Sequence, residues 1–89
     1  MVRLFVHHRV EDYERWRKGY DAFDEERRGM GVTDDAVFCG VEDPNDVTVF
    51  HDFATVDQAK DFADSARLRE VMGEAGVVGA PDVWFTEQA

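Results

Sequence analysis

The sequence lacks the features that mark several classes of protein. Its single cysteine, Cys39, excludes a disulfide framework. No apolar run approaches the roughly 20 residues of a transmembrane helix, so no membrane partner is expected. With one thiol and no recognisable secretory leader, the chain is expected in the reducing cytoplasm. No repeat, linker or low-complexity segment divides it, and residues 1–89 are expected to form a single domain.

Positive charge is also scarce. The chain carries 10 basic and 20 acidic residues, for a net charge of −10, and its only lysines are Lys18 and Lys60. Nucleic acids and anionic membranes attract clusters of lysine and arginine, so this balance opposes both as partners. The acidity is consistent with a well-solvated surface or with adaptation to salt.

What remains is hydrophobic enough to form a core, since 44% of the residues are hydrophobic and 12% aromatic. Runs of β-branched and aromatic residues predict strands. The predicted strands cover residues 2–8, 35–41, 47–54 and 82–87. The segment 42–46, rich in turn-forming residues, predicts a hairpin between the second strand and the third.

Two helical segments are expected between the strands. The first begins after Glu11 or Asp12 and runs to about Met30, because its apolar residues recur at helical spacing. These residues are Tyr13, Trp16, Tyr20, Phe23 and Met30. The second begins with a capping box formed by Thr55 and Gln58, breaks near Ser65 and ends at Gly76.

The resulting order, β-α-β-β-α-β, predicts an α+β protein with a ferredoxin-like fold. Its four-stranded antiparallel sheet would have the first and third strands in the centre and both helical segments on one face. Adjacent strand residues such as Phe5 and Val6, or Trp84 and Phe85, are both apolar. The second face of the sheet would therefore be apolar and exposed, and we expect a homodimer with its sheets packed face to face.

Two motifs carry a resemblance to a known family. They are H-x-V-x-D-Y-x-x-W, which starts at His8, and L-x-x-x-M-x-x-A-G-V, which starts at Leu68. Together with the element order, they resemble the dimeric α/β-barrel superfamily, close to the antibiotic-biosynthesis-monooxygenase-like group. The resemblance covers essentially the whole chain. It implies a homodimer with a small-molecule pocket between the sheet and the helices.

The superfamily includes cofactor-independent monooxygenases, haem-degrading enzymes, cyclases, isomerases and proteins of unassigned function, so the fold does not choose a reaction. The haem-degrading members resemble one another in having an asparagine on a strand and a histidine ligand on a helix. Here the only asparagine, Asn45, lies in a predicted turn, and no histidine falls in a predicted helix. The quinone-forming monooxygenases resemble one another in a pocket asparagine, tryptophan and arginine. Trp84 and Arg9 are the available counterparts of the tryptophan and the arginine, and the asparagine has no counterpart.

The histidines are the main candidates for chemistry. His7 and His8 are adjacent in a strand, so their side chains point to opposite faces of the sheet. If the first and third strands pair about their midpoints, His51 lies beside Phe5 and His8 lies beside Thr48. His8 would then be a general acid–base group at the end of its strand, or a structural histidine that hydrogen-bonds a nearby carbonyl or carboxylate.

Two hypotheses follow for the function. In the first, the protein is a small enzyme that acts on an aromatic or polyketide-like molecule without a cofactor or metal, and His8 is the catalytic residue. The residues expected to bind the substrate are Trp16, Tyr20, Phe38, His51 and Trp84. In the second, it is a non-catalytic ligand-binding or dimerisation module in which the histidines are structural and most of the aromatic residues belong to the core.

Overall fold

A computed structural model describes all residues, 1–89, and it has the predicted α+β, ferredoxin-like architecture. The strands are β1 (Val2–Val10), β2 (Asp34–Cys39), β3 (Asp46–Phe53) and β4 (Val77–Glu87). The helices are α1 (Tyr13–Ala22), α2 (Asp24–Gly29), α3 (Val56–Ala63) and α4 (Ala66–Glu74). The strands form one antiparallel sheet in the order β2-β3-β1-β4, which confirms that the first and third strands are central.

Three side-chain caps set where the helices begin, as the sequence indicates. Asp12 accepts a hydrogen bond from the Arg15 amide at the start of α1. Thr55 does the same for Gln58 at the start of α3, which confirms Thr55 as the cap of the expected capping box. Ser65 caps α4 and separates it from α3 at the predicted break.

The expectation of one continuous helix to about Met30 was wrong. The segment is divided at Phe23, whose amide is 3.2 Å from both the Gly19 and the Tyr20 carbonyl oxygens. The Tyr20 carbonyl also accepts a hydrogen bond from Arg27 Nη1. A helix is interrupted where a side chain binds a carbonyl oxygen that would otherwise accept a backbone hydrogen bond. Here that side chain is Arg27, and the contact places it in the interior.

The last strand begins at Val77, five residues before the predicted start at position 82. Residues 79–81 belong to an irregularity within β4, where the pairing with β1 shifts between His7 and Arg9. Because β4 is an edge strand, Pro81 does not break a hydrogen-bond ladder on both of its sides.

The pairing of the central strands differs by one residue from the expected register. His51 lies opposite Leu4 rather than Phe5, and His8 lies opposite Val47 rather than Thr48. A shift of one residue moves a side chain to the other face of a sheet. His8 and His51 therefore both face the helices, whereas His7 faces away from them.

The two faces of the sheet are both apolar but differ in burial. The face under the helices holds most of the core, including Leu4, Val6, Val47, Val49 and Phe53, packed against Trp16, Ala59 and Phe62. No helix covers the other face, which carries four aromatic residues, Phe5, Phe38, Phe50 and Trp84, named here the open-face aromatics. None of the helices is long and apolar enough to cross a membrane.

Candidate functional site

A small cavity lies between the sheet and the helices, and we call it the histidine pocket. Its volume is about 50 Å³, and most of its lining is apolar. Its polar walls are His8, Tyr20, Arg27 and His51; Trp16, Phe23, Phe62, Val6 and Val49 line it as well. Leu68, Val71, Met72 and Ala75 close it from the side of α4.

Helix α4 covers the pocket loosely. It contains no buried residue, although four residues on it or just after it line the cavity. A second opening of about 320 Å³ lies toward β4, and Val6, Leu68 and Met72 border both spaces. A displacement of α4 would widen both spaces, because Leu68 and Met72 of this helix line each of them.

The structure brings together four of the six predicted site residues. His8, Trp16, Tyr20 and His51 all line the histidine pocket. Phe38 and Trp84 do not, because their strand positions alternate onto the open face of the sheet, where they are 55% and 43% exposed. Since His7 also lies on that face, it cannot meet His51 around one metal ion.

His8 is buried without a full set of hydrogen bonds. Its residue is 6% exposed, and its Nδ1 atom has no partner. The edge of the Trp16 ring packs against it, with 5.5 Å between ring centroids. Burial, together with the neighbouring His7 charge, lowers the pKa of His8, so the neutral ring is favoured. A neutral imidazole in such a site can accept a proton or a hydrogen bond.

One ring nitrogen of His51 has a hydrogen-bond partner and the other has none. It is 5% exposed, its Nε2 lies 3.2 Å from the Tyr20 hydroxyl, and its Nδ1 has no partner. The Tyr20 hydroxyl donates in turn to Asp35 Oδ2 at 2.7 Å. Burial and the Arg27 charge lower the pKa of His51 to about 4. The pocket thus contains two buried imidazoles that are neutral at physiological pH.

Arg27 supplies the positive charge at the pocket. The residue is 3% exposed, and it contacts Asp24 at 3.1 Å and Asp35 at 3.4 Å. Its guanidinium carbon lies 3.6 Å from the centroid of the Tyr20 ring, and Trp16 stacks on the same ring at 4.9 Å. Its Nε atom is buried and has no partner. Tyr20 is thus fixed by a cation–π contact and by stacking.

Sequence reasoning missed Arg27 and Asp35 as members of the site. A signal for Arg27 was present, because it lies four residues after Phe23 and three before Met30, on the apolar stripe of the first helical segment. A charged residue on a buried stripe usually has a buried partner. No comparable signal pointed to Asp35, whose contact with Tyr20 depends on how β2 lies against the helix.

His7 forms a separate polar cluster on the open face. Its Nε2 lies 2.5 Å from Asp46 Oδ1, and its Nδ1 lies 3.6 Å from Asp82 Oδ2. The hydrogen bond to Asp46, reinforced by both carboxylate charges, raises the pKa of His7 above 6.5. The two carboxylates therefore favour the charged form of His7, whereas burial favours the neutral form of the pocket histidines.

We expect Asp46→Asn to lower the His7 pKa, because it removes the closest negative charge and replaces the carboxylate acceptor with a weaker, neutral one. Asp82→Asn removes a more distant carboxylate and should lower it less. An NMR titration of the histidine rings measures both effects. A wild-type His7 that titrates at or below 6.5 would contradict the arrangement described.

Comparison with known proteins gives likeness of structure only. No protein-family model matches the sequence, and no curated protein matches it. The chain is similar to a candidate antibiotic biosynthesis monooxygenase from Bordetella bronchiseptica, with 20% identity, a TM-score of 0.82, and coverage of 99% of this chain and 96% of the other. It is also similar to SnoaB, a cofactor-independent oxygenase from Streptomyces nogalater, with 8% identity, a TM-score of 0.75, and coverage of 99% and 94%.

A conserved protein from Methanosarcina mazei Go1 is similar as well, with 14% identity, a TM-score of 0.77, and coverage of 99% of this chain and 92% of the other. Identities this low carry information about the fold and not about the reaction. The chain therefore has the ferredoxin-like fold of antibiotic-biosynthesis-monooxygenase-like structures, which confirms at the level of fold the resemblance inferred from its motifs.

Proposed function

We propose that this protein is a homodimer that binds a small aromatic or polyketide-like molecule in the histidine pocket of each protomer, with His8 as the acid–base group. One observation carries the proposal. His8 and His51 are buried in a largely apolar, aromatic pocket, and each has a ring nitrogen without a hydrogen-bond partner. An unsatisfied buried polar group costs about 1–3 kcal/mol, and a ligand that supplies the missing hydrogen bonds would recover part of that cost.

The surroundings support a planar ligand. Aromatic side chains, among them Trp16, Phe23 and Phe62, line the pocket beside the histidines, and most of the remaining walls are aliphatic. A ligand larger than a few water molecules needs more room than the closed cavity gives. The loose packing of α4 supplies a route, because the space on its far side is larger. SnoaB, which is similar in fold, is a cofactor-independent oxygenase. The pocket of this chain contains acid–base groups of its own, His8 and His51.

The open-face aromatics support the dimer. They form a contiguous surface, since Trp84 stacks on Phe5 at 5.3 Å, Phe50 contacts Phe5 at 6.2 Å, and Phe38 contacts Phe50 at 6.3 Å. A soluble monomer rarely leaves so large an apolar patch exposed. The same face of a second copy is a self-complementary cover, and the acidity of the chain argues against a nucleic acid or an anionic membrane in that place.

The pocket can be tested by titration with 1-naphthol, followed by NMR of the histidine and tryptophan rings. We expect shifts of the His8, His51 and Trp16 resonances in the wild-type protein. His8→Gln should weaken binding by about fivefold to tenfold, the worth of one hydrogen bond. His7→Gln is the matched control, since it makes the same change at the adjacent residue on the other face, and it should leave the affinity unchanged.

Measurement of O₂ uptake during incubation of 1-naphthol with the protein distinguishes catalysis from binding. Uptake that His8→Gln abolishes, and that His7→Gln retains, would identify an oxygenase. Binding without any uptake would favour the non-catalytic ligand-binding module. Absence of shifts at all three pocket residues would remove the ligand-binding function from this pocket.

A further inference from the structure

A chain of three polar side chains crosses the interior from β2 to β3. Asp35 lies on β2, Tyr20 on α1 and His51 on β3, so three elements that are separate in sequence each contribute one member. The Tyr20 hydroxyl lies between the other two, 2.7 Å from Asp35 Oδ2 and 3.2 Å from His51 Nε2. His51 and Tyr20 also line the histidine pocket, whereas Asp35 does not.

The chemistry of Asp35 fixes the direction of the first hydrogen bond. Burial alone would raise the Asp35 pKa, but the Tyr20 hydrogen bond and the Arg27 charge outweigh it, and the pKa lies below its usual value. Arg27 and Arg28 lie 3.4 Å and 3.6 Å from its two oxygens. An ionised carboxylate only accepts hydrogen bonds, so the single hydroxyl proton of Tyr20 points to Asp35.

The direction of the second hydrogen bond follows from the first. With its proton committed to Asp35, the Tyr20 oxygen can only accept from His51, and Nε2 of His51 must therefore carry a hydrogen. A neutral imidazole has one N–H, so Nδ1 then carries a bare lone pair. The absence of any partner at this buried Nδ1 agrees with a nitrogen that has no hydrogen to donate.

We infer that Asp35 and Tyr20 are positioning residues that hold His51 as its Nε2–H tautomer, which keeps Nδ1 as a fixed hydrogen-bond acceptor for the ligand. The inference rests on the proposed ligand-binding function of the pocket. It assigns different roles to the two histidines. His8 has no such chain and can exchange a proton, whereas His51 orients the ligand by accepting a hydrogen bond from it.

This arrangement also narrows the chemical class of the ligand. A group that binds Nδ1 of His51 must present an O–H or N–H donor. A carbonyl or ether oxygen is itself only an acceptor and cannot form a hydrogen bond with the Nδ1 lone pair. A ligand that also engages His8 needs a second polar group. The arrangement therefore favours an aromatic molecule with at least one hydroxyl or N–H group over one whose oxygens are all methylated.

The tautomer can be read directly in the ligand-free protein from long-range proton–nitrogen NMR correlations of ¹⁵N-labelled histidine at neutral pH. We expect the wild-type spectrum to show His51 with hydrogen on Nε2 alone. Tyr20→Phe keeps the ring that stacks on Trp16 but removes the acceptor, and it should give a mixture of tautomers. Tyr13→Phe, the same deletion on the same helix outside the chain, is the matched control and should retain the wild-type spectrum.

Asp35→Asn provides a second variant that preserves the shape of the side chain. An amide has a donor as well as an acceptor, so the Tyr20 hydroxyl becomes free to turn toward His51, and we expect the Nδ1–H form to appear. A wild-type His51 with hydrogen on Nδ1 would overturn the inference. So would a spectrum that neither Tyr20→Phe nor Asp35→Asn changes.

Two probes test the ligand class. Phenol and anisole differ in the O–H donor, which anisole lacks, and we expect the wild-type protein to bind phenol about fivefold to tenfold more tightly. Tyr20→Phe should reduce that preference to within about twofold. Equal affinity in a protein with the Nε2–H tautomer would overturn the ligand assignment. An Nε2–H tautomer in a protein whose pocket responds to none of the aromatic probes would refute the proposed function and leave the positioning roles standing.

Discussion

The Trp84→Glu variant is expected to be a monomer at micromolar concentrations, at which the proposed wild-type assembly is a dimer. Trp84 is an open-face aromatic and stacks on Phe5 of the central strand β1, at 5.3 Å between ring centroids. A carboxylate at this position would be buried between two sheets without a partner, which costs about 3–5 kcal/mol. That cost corresponds to a dissociation constant raised by roughly 10² to 10⁴. Sedimentation equilibrium measures the change.

Val41→Glu is the matched control for added charge. Val41 is fully exposed after the end of β2 and is not an open-face aromatic, so its substitution should leave the dimer intact. Neither variant changes the core between the sheet and the helices, and both should keep the wild-type circular dichroism. A monomeric wild-type protein would refute the dimer, and a Trp84→Glu dimer of unchanged affinity would place the interface on another surface.

The element order could be predicted because local patterns determine it. Caps at Asp12, Thr55 and Ser65 mark helix starts, and the apolar runs mark the strands. The division of the first helix and the early start of β4 could not be predicted in the same way. The division of the helix depends on the hydrogen bond from the Arg27 side chain to the Tyr20 carbonyl. The early start of β4 depends on its pairing with β1, which tolerates an irregularity around Gly79.

The candidate site was only partly predictable for a related reason. The helical spacing of Trp16 and Tyr20 places them on one face, but strand register decides which histidine joins them. The expected register differed by one residue, and that residue determines whether His51 faces the pocket or the open face. Arg27 and Asp35 meet through tertiary packing, so their pairing is not encoded in a local pattern.

Acidification from about pH 6.5 to pH 4 is expected to destabilise the protein by about 3 kcal/mol through His51 alone. The physical reason is that burial, aided by the Arg27 charge, lowers the pKa of His51 from 6.5 to about 4 in the folded state. Between these values the unfolded chain binds a proton that the folded protein does not, so unfolding is favoured as the pH falls. His8, whose pKa is also lowered, adds a loss of the same sign.

Other titrating groups act outside most of this window. The pKa of His7 is raised, so its contribution is fully present below 6.5 and is lost only as the pH rises through its folded-state value. Asp35 and Asp43 have lowered pKa values, and their contributions are lost as the pH falls below their usual 3.8. Because domains of this kind are stable by only about 5–15 kcal/mol, the loss assigned to His51 should be easy to detect.

Urea unfolding at a series of pH values measures the effect, and two glutamine variants assign it. His51→Gln replaces the titrating ring with an amide that can still donate to Tyr20, and the slope of stability against pH should become much shallower between about pH 6.5 and pH 4.5. His7→Gln should keep the wild-type slope in that range, because His7 is protonated in both states there. If His51→Gln retained the full acid loss, the neutral His51 on which the pocket chemistry depends would be refuted.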